Sequence, residues 1–294
     1  MKLINFYNQV VRFGRLADPR KNKSQIKSFP DSAILFGQPA LEVKKIMVGI
    51  DIEVAELLLA DRLRQKEGLD LVIAHHPEGK SFAGLHEVMR LQVDLLTQAG
   101  VAHNSAVRLV EERMAEVGRR TLAQNHTRPV DAARLLNMPF MNMHTPADNH
   151  VFRYLEAIFK QRSHSLRLVE DVVKVLNTIP EYQFAAKFNT GPRIILGSPK
   201  RPVGKILLEM TGGTEGSKDV FDKLYRAGVR TLVSMHLSEE HFKKVKDANL
   251  NVVIAGHISS DNLGMNLLLD NIERYAKEDF KVIACSGFTR IKRK

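Results

Sequence analysis

The sequence of 294 residues predicts an α/β fold built of two pseudo-symmetric lobes. Two similar apolar runs, Leu69–Ala74 and Leu250–Ala255, each lead to a histidine, His75 and His257. Such runs, bounded by polar residues, are typical of strands buried on both faces of a parallel sheet. Helical patterns alternate with strand patterns in both halves of the chain, as expected for βαβ units.

The first half of the chain contains the clearest βαβ unit. Strands are predicted at Ile46–Ile50 and Leu69–Ala74, with a helix at Val54–Gln65 between them, and the crossover should be right-handed. A basic helical segment is expected within residues 1–30, followed by an irregular stretch. Three further helices are predicted here: Leu85–Ala99, Ala106–Val117 and Val130–Leu136.

The second half repeats the alternation of strands and helices. Its predicted strands are Val172–Leu176, Arg193–Leu196, Ile206–Met210, Thr231–Ser234, Asn251–Ala255 and Phe280–Cys285. Its predicted helices are Lys218–Ala227, Glu239–Ala248 and Asn262–Ala276. We place the boundary in the loop-rich segment near Thr145–Asp148. The first lobe would then be residues 1–150, joined by the helix and strand of about 262–294, and the second lobe residues 151–261.

The net charge of +11, from 44 basic and 33 acidic residues, would favour nucleic acid, phosphorylated substrates or other polyanions. The basic residues are spread along the chain, with dense clusters only at Arg20–Lys23 and Arg290–Lys294. Solvated chain ends explain such clusters as well as a binding surface does. Nucleic acid is therefore a secondary expectation, because neither an RNA-recognition aromatic motif nor zinc-finger spacing is present.

The only cysteine, Cys285, excludes an intrachain disulfide and a thiolate-rich zinc cluster. Any metal must therefore be held by His, Asp or Glu. Because no apolar run approaches the roughly 18 residues of a membrane span, we expect no membrane partner. Asn5 interrupts the opening segment before a signal-type core develops, and we expect a cytoplasmic location.

Two histidines, His75 and His76, stand where a predicted strand ends and precede Pro77. Reactive groups in open α/β sheets gather at the carboxyl ends of strands. Adjacent residues in an extended segment point to opposite sides, so this pair could serve two metals, or one metal and a substrate. The alternative is a strand end with two hydrogen-bonded imidazoles of no further role.

A second polar cluster occupies His144–His150. In it, Asp148 offers carboxylate oxygens that can bridge two cations. Alternatively, Thr145 or Asp148 caps a helix at Val151–Phe159, and both interpretations can hold together. His103 competes with His144 as the histidine of this middle segment.

The third segment is Gly256–Asp261, where a four-residue spacing on a helix would place His257 and Asp261 on one face. Alternatively, Ser259 or Ser260 caps the last helix and the histidine is incidental. His236, after a third strand, could add an imidazole. A tight turn is the preferred interpretation of the glycine-rich segment at 212–216, since it matches no phosphate-binding fingerprint.

Together these segments resemble the NGG-interacting-factor-three-like family, whose bacterial members often carry the label GTP cyclohydrolase I type 2 homologue. The family motif His-His-Pro matches His75–Pro77, its His-Thr-x-x-Asp matches His144–Asp148, and its Gly-His-x-x-x-Glu matches Gly256–Asp261. The order agrees, and the resemblance covers roughly residues 40–290.

The resemblance implies two similar lobes with a two-metal site in the cleft between them, and assembly as a toroidal homohexamer. The metal ligands that it implies are His75, His76, Asp148, His257 and Asp261, with His144 beside them. Two positions depart from the family pattern. Asp261 stands where the family has the longer Glu, and His236 stands where an acidic residue is usual.

The expected cofactors are two divalent transition-metal ions, because imidazole and carboxylate suit Zn, Fe, Mn or Ni better than Ca or Mg. The expected activity is metal-dependent hydrolysis of a nucleotide-like or phosphorylated small molecule. The main alternative is a non-catalytic toroidal scaffold that binds nucleic acid or a protein partner. A metal-handling protein is a third interpretation.

Overall fold

The computed structural model describes residues 1–293. Within them, the strands are β1 (Ser32–Phe36), β2 (Lys45–Gly49), β3 (Leu71–Ala74), β4 (Phe140–Met143), β5 (Arg193–Leu196), β6 (Lys205–Glu209), β7 (Val229–Ser234), β8 (Asn251–Ile254) and β9 (Lys281–Ala284). The helices are α1 (Leu3–Ala17), α2 (Val54–Glu67), α3 (Gly79–Ala83), α4 (Leu91–Ala99), α5 (His103–Leu122), α6 (Arg128–Leu135), α7 (Thr145–Gln161), α8 (Val169–Leu176), α9 (Pro180–Ala186), α10 (Phe221–Arg226), α11 (Glu239–Asp247) and α12 (His257–Ala276). In this part of the chain, every helix is too short or too polar to cross a membrane.

The two β-sheets share one strand order. The first is β1-β4-β3-β2-β9 and the second is β5-β8-β7-β6, so β1 to β4 correspond one by one to β5 to β8. In both sheets the pairs are parallel except at one edge, where β1 pairs antiparallel with β4 and β5 with β8. The prediction of an α/β fold with two similar halves is confirmed. The lobe limits 1–150 and 151–261 stay a prediction.

The apolar runs that first suggest a repeat, at β3 and β8, are not structural counterparts. The counterpart of β3 is β7, and that of β8 is β4. Both β3 and β8 have a neighbouring strand on each side and are covered on both faces, and this shared environment selects similar apolar residues.

The true structural repeat contains a shorter motif. His144 immediately precedes α7 and His257 begins α12, after the matching strands β4 and β8. In each case an aspartate, Asp148 or Asp261, follows four residues later and lies one turn along the same helix face. The two halves of the fold therefore each contribute one His-x-x-x-Asp pair.

Helices α7 and α12 pack directly against each other, and Gly264 lies at their contact. A Cβ atom at this position would lie 2.5 Å from the carbonyl oxygen of Ala147 and 2.9 Å from a methyl carbon of Val151. The absence of a side chain lets the two backbones approach closely. Ala147 directly precedes Asp148, and Gly264 is three residues after Asp261. The close contact therefore helps to set the distance between the two carboxylates.

Some predicted elements are wrong. Val172–Leu176 belongs to α8 and not to a strand, because its buried residues, together with Val169, recur at helical spacing. Strands β1 and β4 were not predicted from the pattern, since polar Asn142 interrupts the apolar run of β4. The segment Leu85–Ala99 is divided into a 3-10 helix at Leu85–Arg90 and α4.

The basic cluster near the end of the described chain is engaged in ion pairs. Arg290 lies 2.5 Å from a carboxylate oxygen of Asp270 and 2.9 Å from one of Glu273. Arg293 lies 2.6 Å from Glu181. These three carboxylates are buried, so the two arginines neutralise interior charge and are not available to a polyanion. The last residue of this cluster, Lys294, lies outside the described residues.

Candidate metal centre

Three segments converge at the ends of parallel strands. His75 and His76 follow β3, His144 follows β4, and α12, with His257 and Asp261 in its first turns, follows β8. The turn into α12 requires Gly256, whose φ of 109° is in the region that favours glycine. The segments bring together three groups of donor atoms that lie within 4.8 Å of one another: His75, His76 and His144; His76, His257 and Asp261; and His75, Asp148 and Asp261.

Asp261 lies at the centre of this cluster. One of its oxygens is 3.5 Å from Nε2 of His75, and the other is 3.5 Å from Nε2 of His76 and 3.6 Å from Nε2 of His257. The two carboxylate oxygens therefore face different imidazoles. Although Asp is one methylene shorter than the Glu of the family motif, its carboxylate oxygens lie within 3.6 Å of all three imidazoles. Asp148 has a similar arrangement, with one oxygen 3.5 Å from Nε2 of His75 and the other 3.7 Å from Nε2 of His144, so its bridging role stays a prediction.

Several donor atoms in the cluster are buried without a hydrogen-bond partner. They are both ring nitrogens of His75, Oδ1 of Asp148 and both carboxylate oxygens of Asp261. Burying a carboxylate without compensation is costly, and a bound cation removes that cost. Two ligand atoms at about 2.1 Å from a tetrahedral ion lie about 3.4 Å apart, which is close to the spacing found here. These buried His and Asp groups could therefore hold metal ions.

Two further aspartates orient the imidazoles. Oδ1 of Asp51 lies 2.6 Å from Nδ1 of His76, and Oδ2 of Asp31 lies 2.8 Å from Nδ1 of His144. Asp31 is fully buried and also accepts a 2.6 Å hydrogen bond from the hydroxyl group of Thr145. When a carboxylate accepts the Nδ1 proton, Nε2 is left free to bind a metal. Sequence reasoning missed both residues, although Asp51 directly follows a predicted strand.

Burial shifts the protonation of His75 and Asp148 toward their neutral forms. Desolvation lowers the pKa of the His75 imidazole to about 4, so it is neutral at pH 7, the form that binds metals. Desolvation raises the pKa of the Asp148 carboxyl to about 7, although the nearby His144 acts in the opposite direction. A cation next to Asp148 would favour its charged form.

Asp261 and His76 favour their charged forms in spite of burial, and a metal ion that binds Nε2 of His76 would have to displace its proton. Desolvation alone would raise the pKa of Asp261, but the imidazoles of His75, His76 and His257 hold it well below its usual range. Desolvation would lower the pKa of His76, but Asp261 and Asp51 together raise it to about 10. The centre of the cluster is therefore an ionised carboxylate, as required of a metal ligand.

Other candidate histidines lie outside the three groups. The ring of His236 lies 4.7 Å from that of His257, but its Nδ1 faces Glu215 at 3.5 Å. His103 is exposed at the start of α5, so the middle segment contributes His144. The capping alternatives are wrong, because Ser259 and Ser260 lie inside α12 and neither helix has a side-chain cap.

The fold and these motifs have a counterpart among solved structures. A NIF3 superfamily protein from Sphaerobacter thermophilus is 28% identical, with 96% of this chain and 97% of that chain covered and a TM-score of 0.79. This similarity over nearly the whole of both chains supports the assignment to the NIF3-like family. No protein-family model and no curated protein matches its sequence.

More distant solved structures share the fold alone. Reduced HcgD from Methanocaldococcus jannaschii is 14% identical over 97% of both chains, with a TM-score of 0.55. The hypothetical protein SA1388 from Staphylococcus aureus is 11% identical over 97% of this chain and 96% of its own, with a TM-score of 0.52. The resemblance that three short motifs indicate therefore has its support in the Sphaerobacter thermophilus structure.

The contact between Asp51 and His76 leads to a testable prediction. We expect Asp51→Ala to weaken metal binding by about 10- to 100-fold, because His76 loses the partner that orients its ring. Asp51→Asn, which keeps an acceptor oxygen, should lose less. Metal titration followed by calorimetry would measure both affinities. If the alanine variant bound metal as tightly as the unchanged protein, Asp51 would have no orienting role.

Proposed function

We propose that this NIF3-like protein holds two divalent transition-metal ions, with His75, His76, Asp148, His257 and Asp261 as ligands and His144 beside them. The observation that carries the proposal is the central position of Asp261, whose two unpartnered oxygens face different histidines. One carboxylate shared in this way suits a pair of ions. The nitrogen and oxygen donors suit Zn, Fe, Mn or Ni.

We further propose that the centre hydrolyses a nucleotide-like or phosphorylated substrate. When held by these residues, a pair of such ions would supply Lewis-acid activation of water and of the bond to be broken. The reaction adds one water molecule across that bond, with its hydroxyl group going to the electrophilic atom and a proton to the leaving group. The net charge of +11 supports an anionic substrate.

The chain's own residues supply orientation for this reaction. Asp51 and Asp31 hold a proton on Nδ1 of His76 and His144, so that both Nε2 atoms face the centre. Burial of His75 and Asp148 limits competing water on their side of the cluster. A polar cavity of 580 Å³, lined in part by His76, gives a small molecule access from the other side.

Native mass spectrometry can test the metal content and the assembly together. We expect about two metal ions per chain, and His76→Ala and Asp148→Ala should each lower that number. The same spectra should show the mass of six chains, as expected for the ring that we propose. We also propose a cytoplasmic location. Full metal occupancy in both variants would contradict the ligand assignment.

A screen of nucleotides and phosphoesters with the metal retained would test the hydrolase proposal. Turnover should depend on metal and should be lost in the two variants. The alternative scaffold predicts salt-sensitive binding to DNA or RNA and no turnover. Arg290 and Arg293 are paired with buried carboxylates, so these two residues of a dense basic cluster are not available to bind nucleic acid. This pairing weakens the scaffold alternative.

A further inference from the structure

Two cavities of different chemistry meet at the candidate metal centre. The polar cavity of 580 Å³ is lined by charged side chains that include Glu53, Glu78 and Arg128. A second cavity of 630 Å³ has a mainly apolar surface, although polar side chains such as Arg193 also line it. His236 and His257 line both cavities, so a molecule that extends from one to the other passes the metal centre. Each volume is typical of a small-molecule site.

The apolar cavity has an aromatic wall. The rings of Phe184, in α9, and Phe188, in the turn after it, have centroids 5.2 Å apart and an interplanar angle of 57°. These side chains are 40% and 65% exposed, although large aromatic groups gain most from burial. Ile258, 41% exposed, forms another part of the cavity and follows the candidate ligand His257 directly in the chain.

We propose that the apolar cavity binds a flat aromatic ring of the substrate, with Phe184 and Phe188 as specificity-determining residues. The polar part of the same molecule would occupy the polar cavity, and the bond between the two parts would lie at the metal centre. A ring fits this wall because aromatic pairs gain attraction from tilted or stacked contacts beyond the burial of area. This inference rests on the proposed function, because it deepens the substrate class of that site.

Two metal-chelating probes test the inference without turnover. Benzohydroxamate and acetohydroxamate share one chelating group and differ in a phenyl or a methyl substituent. In calorimetry with the metal-loaded protein, we expect benzohydroxamate to bind about tenfold more tightly, because its ring enters the apolar cavity. The double variant Phe184→Ala, Phe188→Ala should lose most of that preference while its metal content stays the same.

Two further variants control for folding and for apolar surface. Phe188→Leu keeps an apolar side chain without a ring, and we expect it to lose part of the preference. Leu122→Ala changes a residue that is 83% exposed on α5 and should leave the preference unchanged.

The outcomes separate this inference from the proposed function. Equal affinities of the two probes would overturn the aromatic site and leave the metal centre intact. Failure of both probes to bind would overturn the metal centre and the inference with it. If the double variant changed the oligomer mass and kept the probe preference, a second copy of the chain would cover the rings, and the inference would be wrong.

Discussion

Asp261→Asn is expected to remove most of the metal affinity of this protein. The two oxygens of Asp261 lie within 3.6 Å of three imidazoles, whereas those of Asp148 lie near two, and the variant loses this central negative charge. We expect a loss larger than the roughly 10- to 100-fold that follows when a residue merely supporting a ligand is changed. Metal titration by calorimetry would measure it.

Thermal unfolding gives an independent measurement of the same loss. At a free metal concentration 100 times Kd, binding stabilises the native chain by about 2.7 kcal/mol. Asp261→Asn should gain little stability at that concentration. Asp247→Asn, an exposed carboxylate at the end of α11, is the matched control and should respond to metal like the unchanged protein. An Asp261→Asn variant that retained full metal stabilisation would refute the central role of this residue.

Gly264→Ala is expected to destabilise the fold and to weaken metal binding together. The new Cβ would lie 2.5 Å from the backbone oxygen of Ala147, and a backbone atom cannot move aside as the end of a side chain can. We expect a net loss of about 1–3 kcal/mol in the free energy of unfolding, despite the better helix propensity of alanine. Separating α7 from α12 would also move Asp148 away from Asp261. Denaturant unfolding and metal titration would measure the two effects.

Gly118→Ala is the control for this substitution. Gly118 is also buried within a helix, but a Cβ there would lie at ordinary contact distance, 3.4 Å from the His86 ring. We expect this variant to gain up to about 1 kcal/mol from helix propensity. If Gly264→Ala were also stabilising, the close contact between the two helices would not limit the structure.

The sequence predicts most of the fold because strands buried on both faces leave an unambiguous apolar pattern. Strands β2, β3 and β8 and helices α2, α5 and α6 follow from such patterns and from helical periodicity. The edge strand β1 was not predicted although Ala33–Phe36 is apolar, because Pro30 before it and Gly37–Pro39 after it indicate an irregular segment. The helix α8 was assigned the wrong periodicity, since its run of valines favours a strand locally.

The candidate ligands were predictable because His75, His76 and His257 follow apolar strands directly. Their supporting residues were not. Asp31 precedes a strand and meets His144 only through the antiparallel pairing of β1 with β4, a contact more than a hundred residues apart in sequence. The choice between His103 and His144 likewise depended on tertiary structure.

The matched strand order gives the centre a further property. One His-x-x-x-Asp pair comes from each half of the fold, so an ion bound by Asp148 and Asp261 cross-links the two halves. The free energy of binding this ion is then linked to the docking of the two halves. The halves should therefore associate more firmly as the surrounding metal concentration rises.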